Sequence, residues 1–385
     1  MTGVDGTINH SLTRNLTVVY IESTSYNGSD IVGYYYTVRH DIETFFLPII
    51  YGIGFPGNIV SFILWLQPRL RNSSGIYFAA LSFSDTIVLL LHLILSLQTL
   101  YSWEILYTDV LCEVFSVFYV TSECFSVLLV LGLTVDRYIV ICHPMKRLTF
   151  CTVSRTIKVI CCLYTIAFII GLIEGTFWIH DSVAHRCAYR TVFRTSDAHS
   201  YIAIGNIIIL VIGVIIPALL VLIFNVRIIL ALRQFQRKRE SMMVSRVGSP
   251  DIEATIMLLV VSCYVILSEI PDTIFFLILP FYPQGDTTVE MADRHRDPLW
   301  ITYYRFALIS SIVGAFSLTN YAVNILIFSL TGRKFRKTCL FVFMRCINQD
   351  LTHHSEYEHS LVRIQFKDKT SKGQNHSNYQ QEDQV

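Results

Sequence analysis

Seven stretches of this chain are apolar over the length a helix needs to cross a bilayer, and that repetition constrains the fold more than any motif. Crossing the hydrocarbon core takes roughly 20 mostly apolar residues. The stretches run over residues 42–66, 76–100, 110–142, 157–178, 201–232, 254–281 and 301–330. Strands of an outer-membrane barrel would instead read as shorter alternating segments. Composition agrees, with 53% apolar and 15% charged residues against about 45–50% and about 25% in soluble domains. A net charge of +1 supplies no field for gripping nucleic acid, so no nucleic-acid partner is expected. The expected fold is an all-α membrane protein, a bundle of seven transmembrane helices in the lipid bilayer.

Basic residues orient the bundle. All eight lysines fall in the loops and tail that alternate onto one side: 146, 158, 238, 334, 337, 367, 369 and 372. Arginines 69, 71, 147, 155, 233, 237 and 239 join them, while those at 186, 190, 194, 294 and 296 dilute the asymmetry without reversing it. The positive-inside rule therefore puts the N-terminus outside and the C-terminus in the cytoplasm of a multi-pass plasma-membrane protein. Three glycosylation sequons, at Asn9, Asn15 and Asn27, cluster in the segment so placed outside. The implied organisation is an extracellular glycosylated segment over 1–41, a transmembrane domain over 42–331, a surface helix over 332–347 and a polar, disordered cytoplasmic tail over 348–385. Span one serves as the insertion signal, since no charged-then-apolar signal peptide precedes it.

Of ten cysteines, Cys112 and Cys187 alone fall on the oxidising side; the others lie within spans or at cytoplasmic ends, where thiols stay reduced. A disulfide between the two would tie the second outer loop onto span three. The alternative is two free extracellular thiols.

Ionisable residues inside the membrane are costly and mark function. Here they are Asp85, Glu123, Asp136, Arg137, Glu174, Glu269 and Asp272. They form no repeated acidic relay, and no duplicated half-pattern of the transporter kind is visible. No P-loop, His-Glu-x-x-His or Gly-x-Ser-x-Gly pattern supplies a nucleophile or metal set, so an enzyme is not expected.

A more specific likeness then emerges. Gly57-Asn58 lies in span one, Leu81-Ser82-Phe83-Ser84-Asp85 in span two and Trp103 in the first outer loop. Asp136-Arg137-Tyr138 stands at the end of span three, with Arg137 twenty-five positions after Cys112. Pro217 and Pro271 interrupt spans five and six, and Gly332-Arg333-Lys334-Phe335-Arg336 follows span seven. In order and register these motifs resemble the rhodopsin-like (class A) G-protein-coupled receptors over residues 42–346. The stretch from Asp136 through Pro144 is similar to invertebrate neuropeptide receptors of the FMRFamide-receptor kind, and to thyrotropin-releasing-hormone receptors.

The resemblance implies roles. Arg137 pairs with Asp136 at rest and reaches a heterotrimeric G protein when active, while Asp251 clamps Arg137 to span six; the bland alternative for Asp251 is a solvated helix-end charge. Asp85, Ser126, Asn320 and Asn324 form a pocket for an allosteric sodium ion, no other cofactor being implied; alternatively Asp85 is protonated and hydrogen-bonded. The amphipathic helix after span seven carries Cys346 at a palmitoylation distance, with Cys339 as alternative. Serines and threonines of the tail, among them Thr352, Ser355 and Ser360, are candidate sites for receptor kinase and arrestin.

Departures from the family pattern are as informative. Span seven reads Asn324-Ile-Leu-Ile-Phe328 where the family has Asn-Pro-x-x-Tyr, and span five has Asn225 in place of its activation tyrosine. Span four lacks a central tryptophan, and Glu269 replaces the toggle tryptophan of span six. Tyr119 stands where amine receptors carry an aspartate, and no lysine in span seven could hold retinal.

The ligand site is thereby expected from Tyr119, Glu123, Glu269, Asp272 and Thr273, with the second outer loop and an aromatic rim over Trp300–Tyr304. Acids in an apolar cavity call for a cationic group, preferably the forked guanidinium of arginine. The alternative leaves one acid protonated and another facing a neighbouring helix. The expected ligand is a short amidated peptide containing arginine, since amidation removes a carboxylate the acids would repel. The rivals are a small organic or lipid ligand, and a non-signalling scavenger suggested by the degraded span-seven motif.

Overall fold

The structure, a computed structural model, describes residues 31–101, 108–181, 186–189, 204–241, 250–279 and 291–345, with isolated positions between 282 and 289. Seven of its helices are long and apolar enough to cross a membrane: Ile31–Trp65, Ser73–Gln98, Asp109–Cys142, Val153–Gly175, Ile204–Arg237, Ile252–Ile278 and Pro298–Tyr321. These are spans one to seven. The glycosylation sequons, Trp103, Cys346 and the tail lie outside the described residues.

Span one starts at Ile31, earlier than the apolar run that begins at 42. The first eleven residues, Ile31–Asp41, join the rest through a π-helical turn over Ile42–Phe46. Arg39 Nε bonds Glu43 Oε1 at 2.8 Å across that junction. Thr37, Arg39, His40, Asp41 and Glu43 break the hydropathy of this segment, which is why the sequence hides its helicity. What fixes it is packing: Val32 is fully buried against Trp300 and Tyr304, with Tyr35 and Tyr36 alongside.

The bundle is arranged for lipid. Large apolar side chains such as Ile63, Ile208, Leu219, Ile223 and Leu267 point outward, whereas Asn58, Ser82, Asp85, Ser126 and Asn324 are buried. Helices in a bilayer gain little by hiding aliphatic groups from one another, so close contact and interior hydrogen bonds hold them together. Span three is the central post, in contact with spans two, four, five and six. Its approach to span four is close enough to require glycine. A Cβ on Gly171 would stand 2.2 Å from Thr121 Oγ1 and 2.5 Å from the Val117 carbonyl oxygen, and one on Gly175 would stand 2.3 Å from Val117 Cγ2.

At one end of span three the chain forms a small hairpin, an exception to the all-helical reading. Strand β1 (Trp178–Asp181) pairs antiparallel with β2 (Arg186–Tyr189), placing His180 opposite Cys187. The expected Cys112–Cys187 disulfide is formed, with a Cα–Cα distance of 5.7 Å. Asp109 Oδ1 accepts from the His180 backbone N–H at 3.0 Å, so the hairpin is fastened to the start of span three twice.

Of the two prolines expected to interrupt spans five and six, Pro271 lies inside its helix and Pro217 follows a π-helical turn, Val211–Ile215; Pro56 also lies inside span one. Span seven is interrupted without a proline: it runs helically over Pro298–Leu318, tightens to a 3-10 turn at Thr319–Tyr321, and resumes over Asn324–Thr331. Side chains and backbone at this break are held from outside the helix, Asn58 Nδ2 donating to the Tyr321 carbonyl oxygen at 2.6 Å. After Gly332 a further helix covers residues 333–345. It carries basic residues at 333, 334, 336 and 337 and exposed Leu340, Phe341, Phe343 and Met344, an amphipathic composition suited to a membrane surface.

The glycine contact yields a test. Gly171→Val should force spans three and four apart and lower stability by roughly 1–3 kcal/mol, the usual cost of overpacking. Thermal unfolding of the purified chain reads this out, with Ile169→Val on the outer face of the same helix expected to be near neutral.

Candidate functional site

A cavity of about 410 Å³ opens between spans two to seven at the disulfide end of the bundle, with Leu95 of span two and Trp178 and Cys187 of the hairpin in its wall. Each helix contributes one stripe. Span three presents Phe115, Tyr119, Glu123 and Val127 at intervals of four, and span six presents Glu269, Asp272, Thr273 and Phe276 at three- and four-residue intervals. All five residues expected to bind ligand therefore line one cavity.

The acids have few partners. Tyr119, one helical turn from Glu123, packs against Phe115 with ring centroids 6.0 Å apart. Glu269 Oε1 accepts from Asn320 Nδ2 of span seven at 3.3 Å. Thr273 Oγ1 turns back to the Glu269 carbonyl oxygen at 2.7 Å. Sequence reasoning noticed Glu174 as an intramembrane acid but did not place it here. It lines the same cavity, accepting from Trp178 Nε1 at 2.9 Å. Asn206, Ser317 and Tyr321 were missed as lining residues, because only the packed bundle aligns their helices with span three. Among the described lining residues there is no lysine, arginine or histidine.

The aromatic rim is a correction. Trp300 and Tyr304 are buried against Val32, Tyr35 and Tyr36 and are not in the cavity wall. The Arg294 guanidinium lies 4.1 Å from the Trp300 ring centroid, and Tyr36 and Tyr304 hydroxyls are 3.4 Å apart. The early start of span one, unseen in the sequence, fills the space where a rim was expected.

Deeper in the bundle, Asp85 is held by two helices. Ser126 Oγ donates to Oδ1 at 2.8 Å and Asn324 Nδ2 to Oδ2 at 2.5 Å. Asn320, expected in this set, instead gives its amide to Glu269. The structure thus joins three of the four residues expected around a sodium ion. Both carboxylate oxygens, the hydroxyl and the Asn324 amide oxygen are donors a hard cation accepts.

At the far end, Arg137 and Asp136 are both buried and form a two-point pair, Nη2 at 2.5 Å and Nε at 3.0 Å from Oδ2. The Ser73 hydroxyl donates to the other oxygen of Asp136 and lies 2.8 Å from Thr156 Oγ1, tying spans two, three and four at this point. Tyr138 packs on Phe224 of span five. Asp251 begins span six in the helix Pro250–Ile278, but its side chain lies outside the described residues.

The two lost tyrosines are replaced by contacts of another kind. Phe328 is fully buried, edge-on to Trp65 and Phe78 at 5.4 and 5.0 Å. Asn225 Nδ2 donates to Ser262 Oγ of span six at 2.7 Å.

Comparison with known proteins bears on this arrangement. Residues 57–331 match the model of the seven-transmembrane receptors of the rhodopsin family. Among curated relatives, the FMRFamide receptor of Drosophila melanogaster is 24% identical over 80% of this chain and 55% of its own length. The thyrotropin-releasing hormone receptor of Gallus gallus is 30% identical over 34% of each chain. The C-C chemokine receptor type 1 of Homo sapiens is 25% identical over 77% of this chain and 78% of its own. The chain thus spans about half the length of the FMRFamide receptor and a third of the hormone receptor. A family match across nearly the whole bundle, with the disulfide and the buried Asp-Arg pair in place, makes this chain a member of the rhodopsin family of seven-transmembrane receptors.

Proposed function

We propose that the chain is a plasma-membrane receptor, N-terminus outside, for a short amidated peptide that offers an arginine to the acidic cavity. The observation that carries this reading is a single cavity gathering Glu123, Glu174, Glu269 and Asp272 with no basic side chain among its described lining residues. Buried carboxylates need compensation, and a guanidinium supplies charge and paired hydrogen bonds together. A free C-terminal carboxylate in the same space would be repelled, which favours the amide. Similarity to a receptor named for FMRFamide supports the peptide class.

Ligand binding among the outer halves of the spans shifts a two-state equilibrium and opens the Asp136–Arg137 end to a heterotrimeric G protein. In this reading Asp136, Arg137, Tyr138 and Asp251 form the coupling face, with Asn324 and Phe328 in the switch. Kinase and arrestin act on the tail, glycans sit on Asn9, Asn15 and Asn27, and a lipid anchor sits on Cys346. Sodium would be held by Asp85 with Ser126 and Asn324, stabilising the resting state.

The reading is tested by G-protein activation in cells expressing the chain. Amidated peptides differing only in arginine or a neutral residue near the C-terminus are compared, with surface expression matched. Losing one partner of a buried charged pair costs about 2–5 kcal/mol, so the neutral peptide should need at least about thirtyfold more for half-maximal response. Glu123→Gln and Glu269→Gln should narrow that gap. A response indifferent to arginine overturns the cavity reading and leaves the family assignment untouched.

Sodium gives a separate test. Replacing sodium by choline should raise peptide affinity in membranes of the wild-type chain, and Asp85→Asn should abolish the difference. Equal affinity in both salts for the wild type would remove sodium from the account.

A further inference from the structure

Spans one and seven run side by side and touch at two levels. Near their starts, Val32 packs against Trp300 and Tyr304. Deeper in the bundle, Leu47, Ile50 and Tyr51 cluster with Leu318, Tyr321 and Ala322. Between these levels the helices part. The π-helical turn Ile42–Phe46 has no buried residue, although span one buries residues on both sides of it. The gap is a groove of about 660 Å³, walled by Val38, Phe45 and Ile49 of span one and Ile312 and Phe316 of span seven, with Asp41 at one end. It shares no lining residue with the acidic cavity. Phe45, Ile49, Ile312 and Phe316 are all exposed, so the groove opens on the lipid-facing side of the bundle.

Depth follows from the sequence. Arg39, His40, Asp41, Glu43 and Thr44 give way to an apolar run from Phe45, which puts Asp41 at the headgroup boundary and the rest of the groove in hydrocarbon. From Val38 to Ile49 the helix advances about 16 Å. That is about half of a hydrocarbon core roughly 30 Å thick, the reach of a molecule confined to one leaflet. An apolar gap left empty forfeits dispersion contacts along both walls, and water gains nothing by entering it. A lipid must fill it, and the walls select which.

Asp41 is the one polar side chain among the described lining residues. It makes no capping bond to the turn it precedes, and its charged neighbour, His40 Nδ1, is 3.9 Å away. A carboxylate at the mouth repels a phosphate headgroup or a free fatty acid and accepts from a hydroxyl. The apolar walls call for a rigid body, because a flexible acyl chain surrenders rotamer freedom when it is seated. A sterol meets both demands, with one hydroxyl at the end of a stiff ring system.

We propose that the groove between spans one and seven is a sterol site in the leaflet nearer the disulfide, the sterol hydroxyl donating to Asp41 and its rings lying between Phe45 and Ile49 on one wall and Ile312 and Phe316 on the other. The bound sterol completes the contact between the two spans that the π-helical turn interrupts.

The test uses the full chain in phosphatidylcholine nanodiscs with a photoreactive cholesterol, and cross-linked peptides are mapped by mass spectrometry. Label should concentrate in residues 38–49 and 312–316 and be displaced by unlabelled cholesterol. Cholestane, the same skeleton without the hydroxyl, should need about tenfold more, the loss expected for one hydrogen bond to a carboxylate. Asp41→Leu should weaken labelling by about tenfold and erase the distinction between the two competitors. Ile312→Trp fills the groove and should abolish its label, whereas Leu267→Trp, on the exposed face of span six, should leave it unchanged. Thermal unfolding reports that each variant is folded, and Ile49→Trp, on the opposite wall, replaces Ile312→Trp if it is not. Label spread evenly over the lipid-facing sides of the bundle overturns the proposal. So does displacement by cholestane or added phospholipid as effective as that by cholesterol, or full labelling of Asp41→Leu.

Discussion

Everything else in the bundle is arranged around carboxyl groups that sit where water is scarce. An uncompensated charge in such a place is among the most costly arrangements a protein can contain, so each acid must find donors or a counter-charge. Asp85 finds them in Ser126 and Asn324, on spans three and seven. Asp136 finds Arg137 beside it and Ser73 on span two. Glu269 finds the Asn320 amide on span seven. In each case the partner lies on a neighbouring helix or fixes one, and so the requirement for compensation becomes the tertiary structure. The lipid-facing surface contributes insertion, while these few buried bonds contribute register.

The break in span seven shows how this works locally. Family members use a proline to free a carbonyl and bend the helix there; this chain has isoleucine at 325. The helix nevertheless gives way between Leu318 and Asn324. Three pulls converge on that short segment: Asn58 on the Tyr321 carbonyl, Glu269 on the Asn320 amide, and Asp85 on the Asn324 amide. The first takes a backbone carbonyl of the turn, and the other two fix side chains on either side of it. Together they maintain an irregular turn that in other members has a covalent cause. The same substitution of means appears at Phe328, where an aromatic cage of Trp65 and Phe78 fixes by packing what a tyrosine would fix by hydrogen bonding.

Most of the architecture was legible in the sequence because bilayer crossing leaves a signal in every span by itself. The seven helices and the disulfide needed only length and side, while the gathering of Tyr119, Glu123, Glu269, Asp272 and Thr273 followed from resemblance to the family's register. What escaped depended on contacts between elements far apart in the chain. The first eleven residues of span one are too polar to read as membrane helix, and only burial of Val32 against Trp300 makes them so. That contact also removed Trp300 and Tyr304 from the cavity. Glu174 was visible as a buried acid, yet its direction follows from the close approach that Gly171 and Gly175 allow between spans four and three. Asn320, expected beside Asp85, gives its amide to Glu269 across the seam between spans six and seven, a pairing that a one-dimensional pattern does not display.

The replacement of the span-six tryptophan by Glu269 then looks less like decay than like a change in the kind of switch. A tryptophan transmits binding through bulk, and its effect depends on steric displacement. A carboxylate transmits through competition for acceptor positions, and its effect depends on the charge of whatever enters. The neighbouring Asn225–Ser262 bond between spans five and six lacks this sensitivity, because neither partner faces the cavity.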